Sequence, residues 1–284
     1  MKFVVLFIII FILINKLVKL CTKNNIKSTF GSDIVIPKVI NKIFIQHSGD
    51  LTNSFETPRL KEVHNEWIRM NPGYKIKYWS LNDCRNFLNT KFPPEYLKAF
   101  DSLTAYAAKA DFVRYCIIYV YGGWYSDWKE QCMVPGLLDE LASDKTEFIF
   151  FESDPSRQFA GCVQNCFFGS IPRNPILGDL IQLCLKNIKN KYYGPNSLST
   201  VGPCALGKVI FNPNKKYNLK TKKGIYTRYT SDNKLVPGGH LIYDHQIVNI
   251  HKCDNCGGDK NKDVQKWIKG NNYNVLWNQR KFFK

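Results

Sequence analysis

The sequence predicts an α/β domain, a central mixed sheet flanked by helices, behind an apolar N-terminal segment. Three observations predict it. Stretches of alternating apolar residues take turns with stretches of helical spacing. A long apolar stretch of helical character, residues 104–121, runs into Gly122-Gly123 and then a short strand. No internal repeat or long low-complexity tract interrupts this order. The chain has 284 residues, 44% hydrophobic and 14% aromatic, which suits one large packed domain.

Residues 3–14, FVVLFIIIFILI, are apolar without a break, and LVKL continues the pattern to Leu20. As a helix, residues 3–20 would extend roughly 27 Å at about 1.5 Å per residue, close to a hydrocarbon core of about 30 Å. Residues 1–20 are therefore read as a single-pass signal anchor through which the chain meets a membrane. A cleaved signal peptide fits less well, because Leu20-Cys21-Thr22 is a poor small-x-small site. Lys16, Lys19, Lys23 and Lys27 follow the apolar run and only Lys2 precedes it, which by the positive-inside rule keeps the body cytosolic.

Polar residues 21–33 read as a stem, and residues 34–284 as the functional domain. VIPKVINKIFIQ (35–46) reads as a buried first strand. RLKEVHNEWIRMNP (59–72) carries Leu60, Val63, Trp67 and Met70 at helical spacing and stops at Asn71-Pro72-Gly73. YKIKYWS (74–80) alternates as a second strand, and Leu81–Asn89 is a helix opened by Ser80 or Asn82. Residues 104–121 form the long helix, ended by glycine as a left-handed helix stop requires. WYSD is a short strand, 147–151 another, and 176–188 an amphipathic helix.

Lys and Arg number 40 against 23 Asp and Glu, a net charge of +17. That balance suits an anionic partner. The positive charges are scattered and form no arginine stripe, and no nucleic-acid motif is present, so the charge is read as mostly compositional with no nucleic-acid partner. Ten cysteines in a chain this long define no small disulfide scaffold. His245, His251, Cys253 and Cys256 have spacing that zinc could use, but one C-x-x-C without a second pair weighs less than a local disulfide or plain loop cysteines.

The chemistry concentrates in residues 108–132, AKADFVRYCIIYVYGGWYSDWKEQC. Asp111 and Arg114 stand three apart on one helical face, a pair suited to clamping hydroxyls. The glycine pair lets backbone approach a ligand closely. The following strand delivers Asp127 at its carboxyl end, where open α/β sheets bind ligands.

This stretch resembles the DXD-motif sugar transferases of the Och1-like type (glycosyltransferase family 32), relatives of the glucosylating toxins. Ala110-Asp111-Phe112-Val113-Arg114-Tyr115, Tyr121-Gly122-Gly123 and Tyr125-Ser126-Asp127 match in order and spacing. Ile36-Pro37-Lys38, Asn71-Pro72-Gly73-Tyr74, Phe92-Pro93, Asn165-Cys166-Phe167-Phe168, Asn174-Pro175, Gly202-Pro203, Tyr273 and Trp277 follow in family order. The resemblance implies a GT-A (Rossmann-like) glycosyltransferase fold and transfer of a hexose, mannose favoured, from a GDP- or UDP-linked donor to a glycan or glycoprotein acceptor, with retention. It implies donor-sugar contacts from Asp111, Arg114 and Asp127, and nucleotide contacts from Phe44, Gly122 and Gly123.

One position departs. The second Asp of the motif, the metal ligand, is Lys129 here. The resemblance implies Mn²⁺ or Mg²⁺, weakened by that ammonium, with Asp127 and His251 as candidate ligands and Glu130 as a further contributor. Asp127, Lys129 and Arg114 are read as the catalytic set, the two cations stabilising the departing diphosphate. The rival reading is an inactive sugar- or nucleotide-binding relative. Transfer onto secretory glycans favours an ER- or Golgi-type lumen, against the charge rule.

Overall fold

The computed structural model describes residues 35–46, 58–230, 232–251 and 271–284. The expected anchor, the stem, Cys253 and Cys256 lie outside them. Among the described residues, no helix is long and apolar enough to cross a membrane.

Among the described residues, nine strands form one mixed sheet: β1 (Val39–Ile43), β2 (Lys75–Trp79), β3 (Gly123–Ser126), β4 (Gln131–Cys132), β5 (Phe148–Ser153), β6 (Val163–Ser170), β7 (Thr221–Tyr229), β8 (Leu235–Tyr243) and β9 (Gln246–Ile250). Their order is β2-β1-β3-β6-β5-β7-β8-β9-β4. β1 lies parallel to both β2 and β3, and β5 parallel to β7. The other ladders are antiparallel. The helices are α1 (Pro58–Met70), α2 (Leu81–Lys91), α3 (Pro94–Ser102), α4 (Tyr106–Tyr121), α5 (Leu137–Leu141), α6 (Pro175–Lys189), α7 (Pro203–Ile210) and α8 (Tyr273–Asn278). An α/β fold with a mixed sheet flanked by helices is thus the architecture observed.

The sheet curls back on itself, and the chain makes this necessary. β3 and β4 lie six strand spacings apart in sheet order, about 29 Å if the sheet were flat at about 4.8 Å per strand. Yet Ser126 and Gln131 are joined by five residue steps, which reach at most about 18 Å. Residues 127–130 therefore bridge two distant parts of one sheet.

Local chemistry sets the elements that surround this bridge. Ser80 caps α2 and forms a reciprocal capping box with Asp83. Asn174 accepts from the Ile176 amide at 2.9 Å, with Pro175 at the first helical position of α6. α4 is buried along most of its length because it is central: residues such as Phe112, Val113, Tyr115 and Ile117 are fully buried. It starts at Tyr106, two residues later than the sequence predicts. Leu103 bridges to Phe283, and the Thr104 amide donates to the Phe282 carbonyl at 3.0 Å, so the C-terminal segment captures those residues.

The first strand is shorter than the predicted 35–46. Its ladder covers Val39–Ile43 against β2, and β3 adds pairing only at Ile40 and Asn41. A disulfide joins Cys162, just before β6, to Cys204 in α7.

Candidate functional site

The bridge 127–130 is held by its own carbonyls. Lys42 on β1, only 1% exposed, donates to the Asp127 carbonyl at 2.9 Å and to Ser126 Oγ at 3.0 Å. His64 on α1 contacts the Trp128 carbonyl through Nε2 at 2.8 Å. Trp67 Nε1 donates to the Glu130 carbonyl at 2.7 Å. A carbonyl only accepts, so His64 Nε2 carries the proton and Nδ1 accepts from the Tyr78 hydroxyl at 2.9 Å. Burial, then the neighbouring Lys42 charge, push the His64 pKa down to about 3, so the ring is neutral at physiological pH.

Arg114 joins the predicted donor-sugar residues. Its Nη2 lies 2.9 Å from Asp111 Oδ1, and its Nη1 lies 3.2 Å from Asp127 Oδ1 and donates to the Asn165 carbonyl at 2.6 Å. The guanidinium lies over the Tyr125 ring, 4.2 Å from its centroid. The Tyr125 hydroxyl donates to the same Asp127 Oδ1 at 2.7 Å. Asn165 Nδ2 donates to Asp111 Oδ1 at 3.0 Å and lies 2.7 Å from the Tyr115 hydroxyl. The Arg114 and Asp111 side chains are 5% and 12% exposed, whereas that of Asp127 is 29% exposed. Asp127 is therefore the open end of the network. Among the described residues nothing hydrogen-bonds its Oδ2.

The electrostatics match this division. Burial pushes Asp111 up to about 6, with Arg114 pulling the other way and Asp127 adding to the rise. Burial alone would disfavour the Arg114 charge. The facing Tyr125, Asp127 and Asp111 oxygens outweigh it, and the guanidinium is held above its ordinary range.

The remaining predicted residues fall in different places. Phe44 is 5% exposed, and its ring lies 4.2 Å centroid to centroid from Trp128, which is the more open of the two. Gly122 and Gly123 do adopt positive φ, +65° and +92°, and do permit close approach. The approach is to the chain itself: an added Cβ would meet Pro172 and Pro37 within 2.9 Å at Gly122, and the Val39 carbonyl at 2.7 Å at Gly123. They also sit at the opposite end of β3 from Asp127, about 13 Å away at about 3.3 Å per residue. Both glycines thus pack against β1 and the turn at Pro172.

Lys129 sits on the bridge beside Trp128, its Nζ 5.8 Å from that ring's centroid. His245 is exposed in the turn between β8 and β9. His251, at the end of β9, contacts Glu130 Oε1 through Nδ1. It does not join Asp127 in a ligand set: the cluster with metal-ligand spacing among the described residues is Glu130, Cys166 and His251.

The motif offers few ligands to the Mn²⁺ or Mg²⁺ that the resemblance implies. Such an ion needs carboxylate oxygens. Lys129 stands where the second would be, and Asp127 Oδ1 is already engaged by Arg114 and Tyr125.

Sequence reasoning left Lys42, His64, Tyr125 and Asn165 without site roles. Asn165 had a signal in the Asn-Cys-Phe-Phe segment, and Tyr125 in its spacing two residues from Asp127 on one strand face. Lys42 and His64 carried none, since each resembles an ordinary surface residue until the fold buries it.

Residues 57–141 match the family model described as a glycosyltransferase sugar-binding region containing a DXD motif. The chain is 30% identical over 167 residues to an uncharacterised glycosyltransferase of Acanthamoeba polyphaga mimivirus, covering 59% of this chain and 60% of that one. It is 29% identical to inositol phosphoceramide mannosyltransferase 2 of Schizosaccharomyces pombe, covering 61% of this chain and 45% of that one. A mannosyl phosphorylinositol ceramide synthase of Saccharomyces cerevisiae is 25% identical over 81% of this chain and 55% of its own length. The chain thus spans about half to three-fifths of these relatives. Among solved structures, the PaToxG glycosyltransferase aligns with a TM-score of 0.42 at 15% identity, covering 63% of this chain and 70% of that one.

Proposed function

Starting from a chain that carries the sugar-binding region of DXD-motif glycosyltransferases across residues 57–141, we propose that it transfers a hexose, mannose favoured, from a nucleotide-linked donor to a hydroxyl acceptor with retention. The observation that carries this reading is the single network of Asp111, Arg114 and Asp127, closed by Asn165 and most open to solvent at Asp127. The GT-A description fits the same facts: a strand in a mixed sheet delivers the motif carboxylate at its carboxyl end.

Asp127 Oδ2 takes a donor hydroxyl. Asp111 and Arg114 hold that carboxylate in place and supply the charge that orients the sugar. The transition state has oxocarbenium character, and negative charge grows on the leaving diphosphate. Lys129 neutralises that charge as a point cation, in the place of a metal. No step is routed through a divalent ion. The leaving phosphate takes the acceptor's proton on the front face.

The acceptor is a glycan or glycoprotein hydroxyl, and the relatives' names add the headgroup of an inositol phosphoceramide. The Cys162–Cys204 disulfide supports an oxidising lumen over the cytosol. Membrane attachment through residues 1–20 belongs to this proposal.

The decisive experiment incubates the full chain with GDP-mannose and a panel of UDP-hexoses, with and without Mn²⁺, and measures release of the nucleoside diphosphate and sugar incorporation into glycan and inositol phosphoceramide acceptors. Transfer without Mn²⁺ that Lys129→Ala abolishes is the expected result. Equal Mn²⁺ dependence of both proteins removes Lys129 from the mechanism. Donor binding without turnover under any condition identifies an inactive relative.

A further inference from the structure

One cluster near the site has no part in that scheme. Glu130, Cys166 and His251 offer a carboxylate oxygen, a thiol sulfur and an imidazole nitrogen, all within 4.8 Å of one another. Three elements bring them together. Glu130 ends the bridge. β4 pairs with β9 through Gln131↔Ile250 and Cys132↔Asn249, and one step further along that register faces Glu130 with His251. Cys166 lies on β6, where its carbonyl accepts from the Asp127 amide at 2.7 Å.

Glu130 is fully buried. His251 contacts its Oε1, but among the described residues no group hydrogen-bonds Oε2. A buried carboxylate oxygen without a partner carries its full desolvation cost, so it is rarely left so. The Cys166 thiol is 3% exposed and forms no disulfide. The His251 side chain, 15% exposed, keeps the cluster in reach of solvent. Without an ion only the Cys166 thiol, a weak donor, faces the Glu130 carboxylate, whereas a cation placed among the three groups satisfies Oε2.

We propose that Glu130, Cys166 and His251 form a zinc(II) site, with water in the fourth position, that fastens the 127–130 bridge to β6 and β9. The donor set selects the metal. Thiolate and imidazole favour a borderline-soft ion over Mg²⁺ or Ca²⁺, and a carboxylate completes a usual zinc set. Bonds of about 2.0–2.3 Å in tetrahedral geometry keep ligand atoms about 3.5 Å apart, so small side-chain rotations close the three on one ion. Binding releases the thiol proton to solvent. The site needs no nucleotide and uses neither Asp127 nor Lys129. It is a positioning device, and its failure would leave the transfer proposal standing.

The test uses the full chain without any nucleotide sugar and without thiol reductant. Elemental analysis of the purified protein is expected to give one zinc per chain. After chelation and refilling with Co²⁺, a thiolate-to-cobalt charge-transfer band in the near ultraviolet is expected. Cys166→Ala abolishes that band, His251→Ala and Glu130→Gln weaken Co²⁺ binding 10- to 100-fold, and Cys132→Ala leaves the band in place. Far-ultraviolet circular dichroism checks that each variant is folded. Should Cys166→Ala not fold, the His251→Ala titration decides alone, since that side chain reaches the surface. Wild-type protein without zinc and without the cobalt band overturns the proposal, and so does a band or affinity that these substitutions leave unchanged.

Discussion

His64 Nε2 donates to the Trp128 carbonyl at 2.8 Å, tying helix α1 to the middle of the motif bridge. Burial keeps the ring neutral, and the carbonyl fixes the tautomer with the proton on Nε2. The motif's backbone is thereby held by a residue 64 positions away, not by the motif alone.

Removing that donor strands a carbonyl. His64→Ala should lower stability by about 1–3 kcal/mol, the usual cost of an unsatisfied buried polar group, and should weaken donor binding through the displaced Asp127. Urea unfolding and calorimetric donor titration measure the two effects separately.

His64 and Asp111 oppose each other in acid. His64 titrates near 3 in the folded chain against an ordinary 6.5, so below pH 6.5 the unfolded chain takes the proton and stability falls as pH drops toward 3. Asp111 titrates near 6 against an ordinary 3.8, so the folded chain holds the extra proton and stability falls as pH rises from 3.8 to 6. His64→Gln should therefore flatten the acid loss of stability, and Asp111→Asn should steepen it. Unfolding curves from pH 4 to pH 7 read both slopes.

Arg114 balances two carboxylates in a site that is almost fully buried. Arg114→Ala leaves them facing each other without a counter-charge and should cost about 3–5 kcal/mol. Arg114→Lys keeps the charge but loses the planar fork that reaches Asp111, Asp127 and Asn165 together. Its donor turnover should fall by more than stability predicts, which kinetics beside thermal melts will show.

Gly123 and Gly136 make a matched pair. Both have positive φ, +92° and +71°. A Cβ at Gly123 would meet the Val39 carbonyl at 2.7 Å, while one at Gly136 meets nothing within 4 Å. Gly136→Ala should cost about 1 kcal/mol, the left-handed penalty alone. Gly123→Ala should cost clearly more, because β1 must shift. Denaturant midpoints compare the two.

The disulfide spans a separation of 42 residues. Closing a loop of that length reduces unfolded-chain entropy by an amount worth on the order of 4 kcal/mol. The double substitution Cys162→Ser, Cys204→Ser should lower stability by up to that amount, and reductant should do the same to wild type in a thermal melt.

The sequence by itself determined the α/β class, the β1–α1–β2–α2 run, helix α4 with its glycine stop, and the motif order Asp111, Arg114, Asp127. These are local: periodicity, caps and turn residues act within a few positions. It left α3, α5, α7, α8, β4, β6 and β7–β9 unread. β7 alternates only weakly, since Ile225 is exposed and Thr227 buried on it, and such a strand gains its pairing from neighbours rather than from its own residues.

Only the tertiary structure decided what the glycine pair packs against, which cysteines join, and that Lys42, His64 and Trp67 would grip the motif's carbonyls. It alone set Glu130 opposite His251, 121 residues apart in sequence. The reason is the curl of the sheet: five residue steps must connect strands that stand six places apart in its order. Such closure depends on every ladder in between, so no local stretch of the chain encodes it.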